Sequence, residues 1–249
     1  MKARVSTSQF IDDEILLLPD AFNALRDNFK SREGFEVEYR RIPDALKIRF
    51  LRLASTYRNL VKDGNFSVPL EALPTSNFNY YDLTYKYVAL ISIIEATMGK
   101  DEWLGFYDWL KHTKVVSIKN KTELDDLYEK YKSEYGVIRN IVKFFQTLDE
   151  EEQEFLKTKL VQYRVDKRKA VKITSEINDL ANLLYDIRSD FVHGARLIIE
   201  FGGIPAVTGN HKKGKPFTSN LSLNQLMRIF ERSFIRHFGM RAERKTSLF

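Results

Sequence analysis

Cysteine is absent from this 249-residue chain, so no disulfide framework and no thiolate metal site can form, and nothing calls for an oxidising compartment. Glycine and proline are scarce, 11 and 6 in all, which excludes collagen-like and linker-rich architectures and favours long helices. Long apolar runs are missing as well. The longest, Tyr87 to Ile94, contains Ser92 and runs into Glu95, short of the ~20 residues a spanning helix needs. The first apolar run, Ile15 to Leu18, is too short for a secretory signal, so the expectation is a cytoplasmic protein with no membrane partner. What the chain does have is charge. Lys and Arg total 40 against 34 acidic residues, a net +6, which suits a polyanionic partner without identifying one.

Apolar spacing predicts helices through most of the chain. Ile11, Ile15, Leu18, Phe22, Leu25 and Phe29 form one stripe, with Pro19 expected to interrupt or kink it. A second stripe follows Pro43. Gly64, Pro69 and Pro74 then mark a boundary that divides a helical N-terminal segment, 1–75, from a helical domain over 76–249. Tyr80 to Met98 reads as a central, largely buried helix. Trp103, Phe106, Tyr107 and Trp109 have helical spacing and read as packing rather than a base-stacking platform. Further helices are expected from Thr122, over Ile138 to Phe145, and from a capping box at Thr147-Leu148-Asp149-Glu150 to about Val161. A basic stretch, Tyr163 to Lys172, leads into a helix over about 174–192. Leu197 to Phe201 and Ile204 to Val207 suggest a small hairpin, and Ser222 with Gln225 caps the last helix. The fold class is all-α with extra N-terminal helices and that one hairpin.

The helix near residue 180 is unusual. At 100° per residue Ile177, Leu180, Leu184, Ile187 and Phe191 fall in one core-facing stripe, while Asn178, Asn182, Tyr185, Asp186, Ser189, Asp190 and His193 gather opposite, with Arg188 at the border. A plain solvated face would carry Lys and Glu. Arg188 and His193 stand about 140° apart on an ideal helix, so a common target needs either a helix that ends at His193 with Gly194 as its cap or a second chain. Spacing alone is weak evidence, because Arg232 and His237 repeat it in an ordinary amphipathic helix.

The run Leu184-Tyr185-Asp186-Ile187-Arg188-Ser189-Asp190-Phe191-Val192-His193-Gly194 resembles the R-x4-6-H signature of HEPN domains, especially the Apea-like branch, in which Ser follows the arginine. The resemblance implies a helical bundle that dimerises with its motifs at the interface. It also implies metal-independent RNA cleavage, with relatives acting in prokaryotic antiviral defence or as toxins. In those terms Arg188 and His193 are the active pair, His193 acting as general base or acid and Arg188 holding the phosphate. Tyr185, Ser189 and Asp190 are supporting residues. Arg164, Lys167, Arg168, Lys169 and Lys172, and the cluster at 211–215, are candidates to neutralise RNA phosphates. No cofactor is expected and no metal motif is present, so the partners implied are RNA, a second copy and a regulatory protein. The alternative is a non-catalytic HEPN module that binds RNA, a nucleotide or a partner protein.

Overall fold

The computed structural model describes residues 7–66, 78–99, 104–113, 117–166, 169–202, 206–208 and 216–243. Its elements follow the order α1 (Thr7–Leu25), α2 (Arg32–Tyr39), α3 (Asp44–Tyr57), α4 (Phe78–Met98), α5 (Phe106–His112), α6 (Lys121–Tyr135), α7 (Val137–Gln146) and α8 (Glu150–Lys159). Then come β1 (Leu160–Asp166), β2 (Lys169–Ile173), α9 (Ile177–Gly194), β3 (Ala206–Thr208), β4 (Phe217–Ser219) and α10 (Leu223–His237). The fold is all-α with a small sheet. No described helix is long and apolar enough to cross a membrane.

Helix α1 runs through Pro19 instead of stopping there, and ends at Leu25 in a 3-10 turn over Arg26–Asn28. Helix α2 was not foreseen from spacing; Ser31 caps it by accepting from the Gly34 amide at 3.1 Å. The cap of α8 also lies further on than expected. Asp149, not Thr147, accepts from the Glu152 amide, and the Glu152 carboxylate accepts from the Asp149 amide, so the box is shifted by two residues. At α10 the expected Ser222–Gln225 box is present with both of its bonds.

The basic stretch after α8 forms strands, not a prolonged helix. Val161, Tyr163 and Val165 alternate with Gln162, Arg164 and Asp166, a period of two that suits a half-buried strand. The antiparallel sheet has the order β2-β1-β4-β3. The expected hairpin is also placed differently: β3 pairs with β4, Ala206 opposite Ser219, while Leu197 to Phe201 form no strand. Those residues dock on α4 instead. The Ile198 amide donates to the buried Thr84 hydroxyl at 2.8 Å, and the Phe201 ring stacks on Tyr87 with centroids 4.6 Å apart. Ile204 lies outside the described residues, as do Trp103 and most of the expected boundary near residue 75.

One hydrophobic core runs from Ala21 to Met240 and includes residues on both sides of that boundary. Helix α4 is central to it, touching α3, α7, α9 and α10 and burying Tyr87, Leu90, Ile91, Ile93 and Ile94. Phe50 of α3 packs on Phe234 and Phe238 at 5.4 and 5.3 Å, which joins the N-terminal helices to the C-terminal one. Beside this core, Phe106 and Trp109 of α5 pack on Tyr131 of α6 at 5.3 and 5.9 Å, as the spacing predicts, although Tyr107 is exposed.

A buried carboxylate lies inside the joint. Glu231 of α10 accepts from Tyr57 at 2.7 Å, from Asn28 at 2.8 Å and from Lys62 at 3.1 Å. Burial, reinforced by Glu231, pushes the Tyr57 phenol well above its ordinary value, so it stays a donor. Removing the acceptor strands the buried Tyr57 and Asn28 donors, while Lys62 keeps Asp27 at 2.9 Å and the Ala24 carbonyl at 2.8 Å. Glu231→Ala is therefore expected to lower the unfolding free energy by about 1–3 kcal/mol for each stranded donor, measured by urea denaturation; a total loss below about 1 kcal/mol would show that the network contributes little.

Candidate functional site

Helix α9 positions the arginine and histidine. It packs on α4, α7 and α8, and it buries Leu180, Ala181, Leu183, Leu184, Ile187 and Ser189, a wider arc than the five-residue stripe. The reason is the number of neighbours. A helix covered by one partner buries a narrow face, whereas one lying between several buries residues on its flanks as well. Three contacts join α4 to α9. The Tyr87 hydroxyl donates to the Leu184 carbonyl at 2.8 Å, Ser92 meets Arg188, and Tyr85 packs edge-on against Phe191 at 5.6 Å.

Arg188 is half-buried and turned toward α4. Its Nη2 donates to Ser92 Oγ at 3.4 Å, and Ser92 donates its own proton to the Val88 carbonyl at 2.8 Å, so the serine oxygen is free to accept. Nε of Arg188 is buried and has no hydrogen-bond partner among the described residues. Its guanidinium carbon lies 6.0 Å from the Tyr185 ring centre, at the outer reach of a cation–π contact. Glu95, one turn beyond Ser92 on α4, is half-buried and senses the same cation. Burial pushes its carboxyl above the ordinary 4.5, and the Arg188 charge opposes the rise without cancelling it.

His193 is exposed in the last turn of α9, beside Val192, which is also exposed. The helix does not end at the histidine. It continues through Gly194, and the left-handed residue is Ala195, with φ 52° and its amide donating to the Phe191 carbonyl at 2.8 Å. A glycine at 194 thus does not act as the cap that would swing the imidazole round. Across an unbroken helix Arg188 and His193 are separated by a rise of about 7.5 Å and a turn of about 140°. Within one chain the arginine addresses α4 and the histidine addresses solvent.

The supporting residues divide. Tyr185 and Asp190 are half-buried, whereas Ser189, expected on the open polar face, is only 4 % exposed, because the flanks of α9 are covered. Asn178 accepts from Gln146 of α7 at 2.9 Å, so part of that polar face contacts protein. Of the basic residues, Arg164 and Lys172 are exposed. Arg164 stands opposite Val171 and Tyr163 opposite Lys172, which places Arg164 and Lys172 on opposite faces of the β1–β2 ribbon rather than in one patch. Lys169 pairs in register with Asp166; Lys167, Arg168 and the cluster at 211–215 lie outside the described residues. Among the described residues no group of three or more His, Asp or Glu could hold a metal ion.

The second arginine–histidine pair has a structural role. Arg232 is buried against Glu152 at 3.1 Å, with Asp149 and Glu151 nearby. Burial pushes His237 below its ordinary 6.5, with Arg49 adding to the effect. The residue beside Arg188 that spacing missed is Ser92, which was visible with Glu95 as a polar interruption of the most apolar helix between Tyr87 and Ala96.

Two outcomes follow from this geometry. Ala195→Gly removes the Cβ clash of a left-handed residue and is expected to stabilise the fold by about 1 kcal/mol, a rise in Tm of about 2–4 °C for a chain of this size; no rise would show that Ala195 adopts this conformation without strain. The raised Glu95 pKa means that the native state binds its proton more tightly than the unfolded chain. Its contribution to stability is full below pH 4.5 and is lost as pH rises through the folded value. Glu95→Gln should then gain stability relative to wild type as pH rises across that window in urea titrations at several pH values; a gap that widens instead on acidification would contradict the assignment. No family model, curated protein or solved structure matches this chain.

Proposed function

We propose that this chain is a cytoplasmic, metal-independent endoribonuclease of HEPN type, a prokaryotic antiviral-defence or toxin effector that works as a homodimer. The observation that carries the reading is an arginine held half-buried on α9 with an exposed histidine at the end of the same helix, in the Arg-Ser-x3-His-Gly context. Because one chain directs the two side chains apart, the reading requires two α9 helices to face each other, so that Arg188 and His193 of both copies line one cleft.

The chemistry is transesterification within RNA. A ribose 2′-oxygen attacks the adjacent phosphorus, the bond to the 5′-oxygen breaks, and the proton removed from the 2′-hydroxyl is matched by one delivered to the leaving oxygen. The products are a 2′,3′-cyclic phosphate and a 5′-hydroxyl. His193 moves a proton as general base or acid, and Arg188 offsets the charge that builds on the phosphate. A DNA strand lacks the nucleophile and should be inert.

The second reading, a non-catalytic module that binds RNA, a nucleotide or a regulatory protein, is favoured by one observation: the guanidinium is already tethered to Ser92 on its own chain. Cleavage of a mixed-sequence, end-labelled RNA in EDTA separates the two. Arg188→Ala and His193→Ala, each confirmed as folded, are expected to lower cleavage by about 10²-fold or more. Cleavage equal to wild type in both variants would reject the active pair. Salt-sensitive RNA binding by wild type without cleavage would establish the second reading.

A further inference from the structure

We infer that the β1–β2 ribbon is a binding site for double-helical DNA, which it enters through the major groove, with Arg164 and Lys172 meeting the phosphates of the two walls. The inference goes beyond the ribonuclease reading and does not rest on it, since it uses neither Arg188 nor His193.

Only the first part of β1 belongs to the wider sheet. Leu160 to Gln162 pair with β4, and the Tyr163 amide donates to the Pro216 carbonyl at 2.8 Å. Beyond that point β1 pairs, among the described residues, with β2 alone, and β2 is the edge strand of the sheet. The ribbon therefore projects as two strands from the Tyr163–Lys172 pair to the Asp166–Lys169 pair at its distal end. Neither face is covered. Arg164 and Val171, cross-strand neighbours on one face, are both exposed, and so is Lys172 on the other. Two strands without a covering layer gain little from packing, so the fold itself does not account for the projection.

The charge of the ribbon indicates what it meets. From Tyr163 to Lys172 the sequence holds five Lys or Arg residues against one acid, Asp166. Cations on the helices are paired within a turn, Arg32 with Glu36 at 2.9 Å and Lys157 with Glu154 at 2.8 Å. Arg164 and Lys172 have no hydrogen bond or ion pair among the described residues. Free cations on an exposed ribbon complement a polyanion.

The two faces select the shape of that polyanion. A single strand or a flat anionic surface lies against one face and leaves the other cation in water, whereas the walls of a groove meet both. The scale agrees. At about 3.4 Å per residue, Arg164 stands about 7 Å and Lys172 about 10 Å from the distal pair. The major groove of B-form DNA is about 12 Å wide and about 8.5 Å deep, and it admits a two-stranded ribbon. Lowered end first into that groove, the ribbon brings both cations to the rim, where the phosphates are. A-form RNA offers a deep groove that is too narrow and a wide one that is too shallow. The geometry thus singles out DNA.

Fluorescence anisotropy of the full-length chain with a labelled short duplex DNA of mixed sequence, over a series of salt concentrations, tests the inference. A duplex and a single strand of 2′-O-methyl RNA with the same sequence are the comparisons, because they lack the hydroxyl that cleavage needs. Wild type should bind the DNA duplex more tightly than either RNA, with an affinity that falls as salt rises. Arg164→Ala and Lys172→Ala should each reduce the slope of log affinity against log salt by about 1, and the double variant by about 2, while Arg164→Lys keeps the wild-type slope. Both side chains are exposed, so the variants should fold as wild type does. No binding of duplex DNA at low salt, RNA bound as tightly as DNA, or a slope unchanged in both single variants overturns the inference. A slope reduced by one variant and not the other means that a single face is used, and it overturns the groove.

Discussion

The covering of α4 is the constraint on which the rest of the molecule depends. Its sequence between Tyr87 and Ile94 is apolar on nearly every side, so no single partner can bury it, and α3, α7, α9 and α10 surround it. Enclosure removes water from its buried hydroxyls, and four of them have a specific acceptor or donor. Thr84 accepts from Ile198, Tyr87 donates to Leu184, Ser92 donates to Val88, and Thr97 donates to Ile93. At the C-terminal end, where carbonyls have no helical partner, Arg49 supplies donors to Ala96, Thr97 and Gly99. The Tyr87 and Thr84 bonds tie α9 and the segment after it to α4.

The same constraint joins the two ends of the chain. Helix α10 touches α4, and its aromatic residues meet Phe50, so the N-terminal helices share their core with the C-terminal one. Glu231 and Glu152 are both buried acids on opposite sides of this joint. One is held by Tyr57, Asn28 and Lys62, the other by Arg232 and Arg236. Buried charges of this kind add little net stability over apolar replacements, but each tolerates only the arrangement in which its partners are present. Arg232 illustrates how context separates two equal spacings: with three carboxylates around it, it is committed to the fold.

Arg188 differs from Arg232 in that respect. Its contacts are one long hydrogen bond to Ser92 and the distant face of Tyr185, so most of its donor capacity is unused among the described residues. An arginine so weakly tied at the edge of a packed interface can be turned to a phosphate at small cost, which is what the proposed reaction needs of it.

Periodicity and composition alone determined the helical class, the central place of the helix over 80–98, the cap at Ser222 and the core stripe of α9. Each of these is a local property: the apolar side chains that recur every three or four residues, or a hydroxyl three residues before its partner, act within one turn of helix. The signature around Arg188 and His193 was legible for the same reason, as a run in one helix. Tertiary structure decided what local patterns leave open. Whether Val161 and Gln162 continued a helix or began a strand depended on β4 being there to pair with them, while Tyr163 to Asp166 pair with the neighbouring β2. Whether Leu197 to Phe201 formed a hairpin depended on α4 offering Thr84 and Tyr87. Ser189 became buried, and Arg188 and His193 came to point apart, because neighbours covered the flanks of α9 and the helix ran on to Gly194. The direction of a side chain at a helix border is set by what packs beside it, and that neighbour is distant in sequence.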